Sequence, residues 1–264
     1  MKKIPTDKGS IKARKVLDDC GILDEPLDLE MEEIALSRGV TDVQSVKIDG
    51  AQGRIMVDEE EAIISYDREI THEGKRRFVI AHELGHFELH RNLLDMVVHT
   101  DDEKSLCEWY SKGKHEQEAN QFASELLMPS HLFIDRVKGK QFDFDLIKNT
   151  GSFFESSLTS TLLKYKVLGD FPIAIIFCNN GIVEWSSFSE DFYLQFIPKN
   201  MSVPIKSVAY DFYNGEELPD EPEQIEAMDW FYQDFKVEEY EDINFYEQCI
   251  RVGKKGVLSC IWND

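Results

Sequence analysis

The segment "FVIAHELGHFELH" (Phe78–His90) decides how the rest of the chain is interpreted. It places His82, His86 and His90 four residues apart within an apolar run, with Glu83 directly after the first histidine. A spacing of four puts side chains on one face of an α-helix. Polar groups inside a core are costly unless each has a partner. The segment therefore predicts either a satisfied structural cluster or a bound ligand.

The HExxH spacing within this segment favours a zinc ion. His82 and His86 lie one helical turn apart and can direct ring nitrogens at a single cation. Glu83 lies about 100° further round the helix, where its carboxylate can take a proton from water that the metal activates. His90 is roughly 12 Å along the axis from His82, too far to share the ion, and is predicted to support the site from behind or to be structural. The alternative is a chance match on a half-exposed helix.

A second polar helix, "KHEQEANQFASELLM" (residues 114–128), offers a third ligand. On a helical wheel Glu116 lies within about 60° of the centre of the apolar stripe, whereas Glu118 lies about 100° or more away. Glu116 is therefore the predicted inward ligand, and Glu118 is predicted to be solvated. Asn120, one turn after Glu116, is predicted to hydrogen-bond a ligating histidine. His115 borders the stripe and stays open as a rival ligand. The expected ion is Zn²⁺, with Mn²⁺ as the alternative.

The composition and charge of the chain argue against several classes of function. The 264 residues include 29 basic and 51 acidic side chains, a net charge of −22, which repels phosphate backbones and predicts no direct nucleic-acid partner. Five scattered cysteines without a CxxC pair indicate a reducing compartment. No apolar stretch of about 18 residues occurs, so no membrane span is predicted. Without a recognisable signal peptide as well, the expectation is a cytoplasmic protein.

Before the HExxH segment the pattern predicts two helices and three strands. Ser10 is a candidate N-cap for the first helix, and Pro26 fits the first turn of the second. The strands are residues 43–48, "GRIMV" (53–57) and "AIISY" (62–66), and either of the last two could be an exposed sheet edge. Thr71 is the predicted N-cap of the HExxH helix. Residues 91–114 are predicted to form a polar loop.

Beyond the second polar helix the periodicity changes twice. Residues 143–169 predict short helices broken at Gly151 and stopped by Gly169. Two hairpins are predicted around "NNG" (179–181) and "GKKG" (253–256). Between them, residues 211–248 are strongly acidic with interleaved aromatics, which favours one amphipathic helix.

The order of these motifs resembles a known family. "AHELGH" followed by "ExEANxFAxELLMP" is similar to the ImmA/IrrE family of bacterial zinc metallopeptidases. "SLTSTLLKYKVLG" (157–169) resembles the small helical region of that family, and "SVPIKSVAYDF" (202–212) is similar to its C-terminal domain. The resemblance implies an α+β chain: a zincin-like metallopeptidase domain over 1–140, a helical, helix-turn-helix-like segment over 141–169, and a GAF-like α/β domain over 170–264.

The resemblance also implies an activity. His82, His86 and Glu116 would hold zinc in a gluzincin-like site, and Glu83 would act as the base of an endopeptidase. The implied substrate is a helix-turn-helix repressor, whose cleavage turns on stress-response or mobile-element genes. A strongly acidic protein is drawn to a basic protein partner, which fits this substrate.

Two questions remain open on the sequence alone. The alternative function is a non-proteolytic zinc protein that senses a ligand, or an antitoxin or anti-repressor that acts by binding alone. An intact Glu83 argues against it, because a structural zinc site needs no base. The residue that stabilises the oxyanion is also open among Tyr110, His115 and His131.

Overall fold

The computed structural model describes residues 4–25, 30–58, 61–94, 113–240 and 242–263, which divide into two compact units. The first unit is Met1–Lys138 with Asp145–Thr161, and the second is Gly139–Phe144 with Leu162–Asp264. Helices and sheets occur in both, which confirms the α+β class. Residues 141–169 are shared between the units, and the predicted three-domain division stays a prediction.

The first unit combines helices with a small sheet. Strand β1 pairs in parallel with β3, and β2 pairs antiparallel with β3, giving the order β1-β3-β2. "GRIMV" is therefore an edge strand, as predicted, whereas "AIISY" is central and the prediction that it could be an edge is wrong. The elements are α1 (Lys8–Asp19), α2 (Met31–Ser37), β1 (Asp42–Val46), β2 (Gly53–Val57), β3 (Ala62–Asp67), α3 (Glu73–Leu94), α4 (Lys114–Leu127), α5 (Ser130–Val137) and α6 (Phe144–Phe153).

Three predicted helix boundaries need correction. The carboxylate of Asp7 accepts the backbone N–H of Ser10 at 2.8 Å, so Asp7 rather than Ser10 caps α1. Helix α3 begins at Glu73, and the ring Nδ1 of His72, rather than Thr71, accepts a first-turn N–H at 3.3 Å. Helix α3 continues to Leu94, so the predicted loop does not begin at residue 91. The rest of that loop up to residue 112, together with Pro26, lies outside the described residues.

Glycines allow the helices of the first unit to pack closely. A Cβ added to Gly85 would lie 3.0 Å from the Phe122 ring and 3.2 Å from Ala119 Cα, which explains why α3 and α4 can touch here. A Cβ on Gly9 would collide with the carbonyl oxygen of Glu118, so α1 lies against α4 as well. Helix α4 is therefore covered on two sides.

The second unit is a five-stranded antiparallel sheet in the order β5-β4-β8-β7-β6, flanked by short helices. Both predicted hairpins are confirmed. In the first, Asn180 and Gly181 have φ of 50° and 76°, as a type I′ turn requires. The elements are β4 (Ile173–Asn179), β5 (Ile182–Phe188), α8 (Val208–Tyr213), β6 (Glu223–Ile225), α9 (Ala227–Phe231), a 3₁₀ turn (Val237–Tyr240), β7 (Phe245–Val252) and β8 (Gly256–Asn263).

Two predictions in the later part of the chain are wrong. Helix α6 runs through Gly151 and ends at Phe153, and α7 (Leu158–Leu168) then ends before Gly169 as predicted. The acidic stretch 211–248 is not one helix but a succession of short elements. Trp230 and Phe231 belong to the core of the second unit, while Phe235 is 88% exposed, because strand pairing and core packing override the apparent helical pattern.

No helix among the described residues is long and apolar enough to cross a membrane.

Candidate metal centre

Helices α3 and α4 bring the three predicted metal ligands together. The Nε2 atoms of His82 and His86 are 3.0 Å apart. The Glu116 carboxylate lies across from them, with Oε2 3.3 Å from His82 Nε2 and Oε1 3.3 Å from His86 Nε2. All three ligand atoms fall within 4.8 Å of one another. Both histidines are buried, and the side chain of Glu116 is 20% exposed.

The hydrogen bond behind His82 shows that this ring fits a metal. Its Nδ1 is 2.9 Å from Asn120 Oδ1. An amide oxygen can only accept, so the proton lies on Nδ1 and the Nε2 lone pair faces His86 and Glu116. Asn120 therefore stands where the sequence predicted a supporting residue. Two imidazoles and one carboxylate form a donor set that zinc commonly takes in catalytic sites.

The charge state of Glu116 also suits a cation. Partial burial raises the pKa of its carboxyl group, but the hydrogen bonds and positive charges that His82 and His86 supply when their Nε2 atoms carry a proton outweigh burial and hold that pKa well below its ordinary value. The group is therefore an ionised carboxylate at neutral pH, as a metal ligand must be.

Glu83 directly follows the predicted ligand His82 in α3 and lies against the edge strand β2. Its side chain is 1% exposed. A Cβ added to Gly53, the first residue of β2, would lie 2.8 Å from Glu83 Oε1. The same Cβ would lie 2.5 Å from Val79 Cγ1, so glycine leaves room here for both side chains of α3. The sequence analysis did not identify Gly53 as part of the site; the signal was a glycine inside a strand, which often marks a close approach.

Behind His86 lies a second polar group that the sequence analysis assigned only in part. His86 Nδ1 is 3.2 Å from His90 Nδ1, and His90 Nε2 is 3.0 Å from Glu118 Oε2. The prediction that Glu118 is solvated is wrong, because α1 covers this side of α4, Glu118 is 5% exposed, and Lys8 Nζ lies 3.0 Å from it. His115 packs its ring on His90, with centroids 4.5 Å apart, and is not among the three converging groups.

The pKa directions of this second group are consistent with its geometry. Burial raises the pKa of the Glu118 carboxyl, but hydrogen bonds from His90 and Lys8 outweigh it and lower that pKa. Burial lowers the pKa of His90, against the opposing effect of the Glu118 hydrogen bond. The pair is thus a neutral imidazole beside an ionised carboxylate.

The remaining predicted site residues do not join the centre. His131 lies on α5 with its Nε2 3.4 Å from Asp24 Oδ1, and Tyr110 lies outside the described residues. The oxyanion-stabilising residue therefore stays unassigned.

Sequence comparison identifies the domain that holds the centre. A family model described as the IrrE N-terminal-like domain (Peptidase_M78) matches residues 41–162, which include α3 and α4. The domain over residues 41–162 belongs to the ImmA/IrrE family of peptidases. The matched residues end before β4, so they do not include the five-stranded sheet.

Structural comparison adds a likeness of fold. Among solved structures, a chain described as a Mycobacterium tuberculosis transcriptional regulator is 13% identical, with a TM-score of 0.63. The match covers 97% of this chain and 76% of the other. At that identity the likeness is one of fold alone. No curated protein matches the sequence.

Proposed function

We propose that this protein is a zinc-dependent endopeptidase. The observation that carries the proposal is the convergence of the His82 and His86 Nε2 atoms and the Glu116 carboxylate within 4.8 Å, with the buried Glu83 directly after His82 in the chain. A purely structural zinc site needs ligands but no adjacent base. Membership of a peptidase family supports the same activity.

The residues of the chain would divide the chemistry as follows. His82, His86 and Glu116 would hold a zinc ion, which would supply a Lewis acid for the scissile carbonyl and for the attacking water. Glu83 takes the proton of the attacking water on a carboxylate oxygen and returns it to the leaving amine nitrogen. Asn120 holds the His82 ring in the orientation that ligation requires.

The edge strand β2 can bind the substrate peptide as an additional strand. Among the described residues β2 pairs with β3 alone, so an extended peptide can add to its other side through backbone hydrogen bonds. Gly53 sets the Glu83 carboxylate directly against this strand. A peptide bond lying along β2 would therefore pass close to the base.

The proposed substrate is a helix-turn-helix repressor, cut once so that stress-response or mobile-element genes are expressed. Three observations support it: the family membership, the net charge of −22, and a fold shared with a protein described as a transcriptional regulator. Acidic surface favours encounter with a basic DNA-binding protein over DNA itself. The protein would act in the cytoplasm, without a membrane partner and without binding nucleic acid directly.

The finer domain assignment is part of this proposal. Residues 1–140 would be a zincin-like metallopeptidase domain, 141–169 a helix-turn-helix-like segment, and 170–264 a GAF-like domain that regulates cleavage or recognises the partner. The antiparallel sheet with its short helices is consistent with an α/β regulatory unit.

Coexpression with a repressor encoded nearby tests the function. Intact mass measurement should show one new pair of repressor fragments with the natural protein and none with Glu83→Gln. The variant loses a proton acceptor but no ligand, so it should keep its zinc while cleavage falls by about 10²–10⁴-fold or more. A repressor that stays intact in a stable complex, under every stress and metal condition tried, would favour the alternative of an anti-repressor that acts by binding alone.

A further inference from the structure

We propose that Glu118 and His90 form a hydrogen-bonded chain that positions His86 for the metal. The inference rests on the proposed zinc site and assigns two positioning residues to it. Neither residue touches the ion or the reacting atoms. Both act through His86, by fixing its ring orientation and by making its Nε2 a stronger donor.

The direction of the chain follows from the position of each proton. A ligating His86 presents an unprotonated Nε2 to the centre, so its proton lies on Nδ1. That Nδ1–H faces His90 Nδ1 at 3.2 Å, which must therefore accept. The single proton of His90 then lies on Nε2, which donates to Glu118 Oε2 at 3.0 Å. Each donor meets one acceptor, and the chain ends on a carboxylate.

Burial makes this chain effective. His86 is 1% exposed, His90 3% and Glu118 5%, so water does not replace the hydrogen bonds. Hydrogen bonds in such surroundings orient a ligand ring and raise its basicity. The two ligating histidines are thus supported unequally, since His82 donates to the neutral amide of Asn120 while His86 is linked to a negative charge.

The same residues could instead hold a second cation. Ligand atoms of His90, His115 and Glu118 also lie within 4.8 Å of one another. Two features oppose this reading. Lys8 Nζ already lies 3.0 Å from Glu118 Oε2 and would repel a cation. A metal on His90 Nε2 would move the proton of that ring to Nδ1, and two N–H groups would then face each other across 3.2 Å.

Zinc affinity of the full chain, measured by chelator competition, tests the proposal without any need for proteolysis. His90→Phe and Glu118→Ala should each lower the affinity by about 10–100-fold, the usual effect of losing a residue that supports a ligand. The double variant should lose no more than His90→Phe alone, because Glu118 acts through His90. The visible spectrum of the Co²⁺-substituted protein should shift in both single variants, reporting a changed ligand field.

Matched controls separate the chain from its surroundings. Lys8→Ala removes the closer of the two lysines that pair with Glu118, since Lys114 Nζ is 3.8 Å from its Oε1, and His115→Ala removes only the third member of the alternative cation site. Both should keep the affinity and the Co²⁺ spectrum of the natural protein. If Glu118→Ala does not fold, Glu118→Gln preserves the shape and the acceptor but not the charge, and should show a smaller loss in the same direction.

Three results would overturn the proposal. The first is an unchanged zinc affinity in folded His90→Phe and Glu118 variants. The second is fully additive losses in the double variant, which would indicate independent packing effects. The third is a second equivalent of bound zinc that disappears in His115→Ala. A natural protein that binds no zinc at all would instead defeat the proposed function itself.

Discussion

Each unit of the protein buries a cluster of polar groups around a carboxylate, but the two clusters are built in opposite ways. In the second unit Glu247 is fully buried and surrounded by donors. Its Oε2 accepts the N–H of Val208 at 2.9 Å, and its Oε1 accepts the hydroxyl of Ser259 at 2.6 Å and the N–H of Ala209 at 3.3 Å. In the first unit His82, His86 and Glu116 turn acceptors toward one another.

The difference shows how a structural polar cluster can be distinguished from a binding site. Donors that meet acceptors complete one another, as buried polar groups normally do. Acceptors that converge need a proton or a metal ion between them. The Glu247 cluster therefore needs nothing from outside the chain, whereas the cluster between α3 and α4 is suited to a ligand.

The largest expected effect comes from breaking the converging cluster. His82→Ala, His86→Ala or Glu116→Ala each removes a ligand, so zinc affinity should fall by more than the roughly 100-fold that a supporting residue can cost. Metal content after gel filtration and peptide cleavage should both be lost. Gln117→Ala, an exposed neighbour on α4, is the matched control and should keep both. Full zinc content in Glu116→Ala would contradict the assignment of the third ligand.

Changing the Glu247 cluster should lower the stability of the protein without changing its zinc binding. Glu247→Ala leaves buried donors without an acceptor and opens a cavity, so the free energy of unfolding should fall by about 2–5 kcal/mol. Tryptophan fluorescence is the suitable probe, because Trp185, Trp230 and Trp262, three of the four tryptophans, lie in the second unit. Zinc affinity should not change. Glu223→Ala, exposed on β6, is the control.

The loss of stability in Glu247→Ala should depend on pH in a definite direction. Burial raises the pKa of Glu247 in the folded protein, although hydrogen bonds from Ser259 and the α8 backbone oppose it. A raised folded pKa means that this group stabilises the fold at low pH, and that its contribution falls as pH rises through the folded pKa. The difference in stability between the natural protein and Glu247→Ala should therefore be largest in acid. A difference that grows toward alkaline pH would contradict this assignment.

A smaller effect should follow from changing the contact between the base and the edge strand. Gly53→Ala forces a Cβ to within 2.5 Å of Val79 Cγ1 and 2.8 Å of Glu83 Oε1, so β2 or these two α3 side chains must shift while His82, His86 and Glu116 are not touched. Cleavage should fall, by up to about 10²-fold if the shift approaches 1 Å, with zinc retained. Gly113→Ala adds a Cβ in open space and should leave cleavage unchanged. Equal cleavage by Gly53→Ala and Gly113→Ala would show that the contact between Glu83 and β2 does not affect catalysis.

The smallest effect concerns the charge of the whole molecule. Added salt screens the attraction between an acidic protease and a basic repressor, so kcat/KM for cleavage should fall several-fold as salt rises. The kcat value should change little, and an uncharged peptide substrate should show no such dependence. If kcat/KM for the repressor does not depend on salt, then charge attraction does not explain the choice of substrate.

The parts of the site that the sequence predicts are those set by local helix geometry. His82 and His86 lie one helical turn apart on α3, and a helical wheel places Glu116 and Asn120 on the inward face of α4. The structure brings all four residues together. Their roles remain predictions. Glu118 was misjudged because its burial depends on α1 packing over α4.

The remaining failures have the same origin. Gly53 was missed because its importance arises only when β2 lies against α3. The acidic stretch was predicted to be one helix because charge and aromatic spacing cannot show which residues pair with β7 or enter the core. Contacts between segments distant in the chain carry no local period, so a pattern analysis does not detect them.

The close crossing of α3 and α4 at Gly85 bears on which metal ions the protein can accept. Two ligands come from one helix and the third from the other, so the separation of the helix axes fixes how wide the cage opens. A methyl group at Gly85 would press on Phe122 at 3.0 Å and on Ala119 Cα at 3.2 Å, and would widen it. In the proposed metal site, the ionic radius that fits would therefore depend on a residue that is not itself a ligand, and ion selectivity would follow from helix packing.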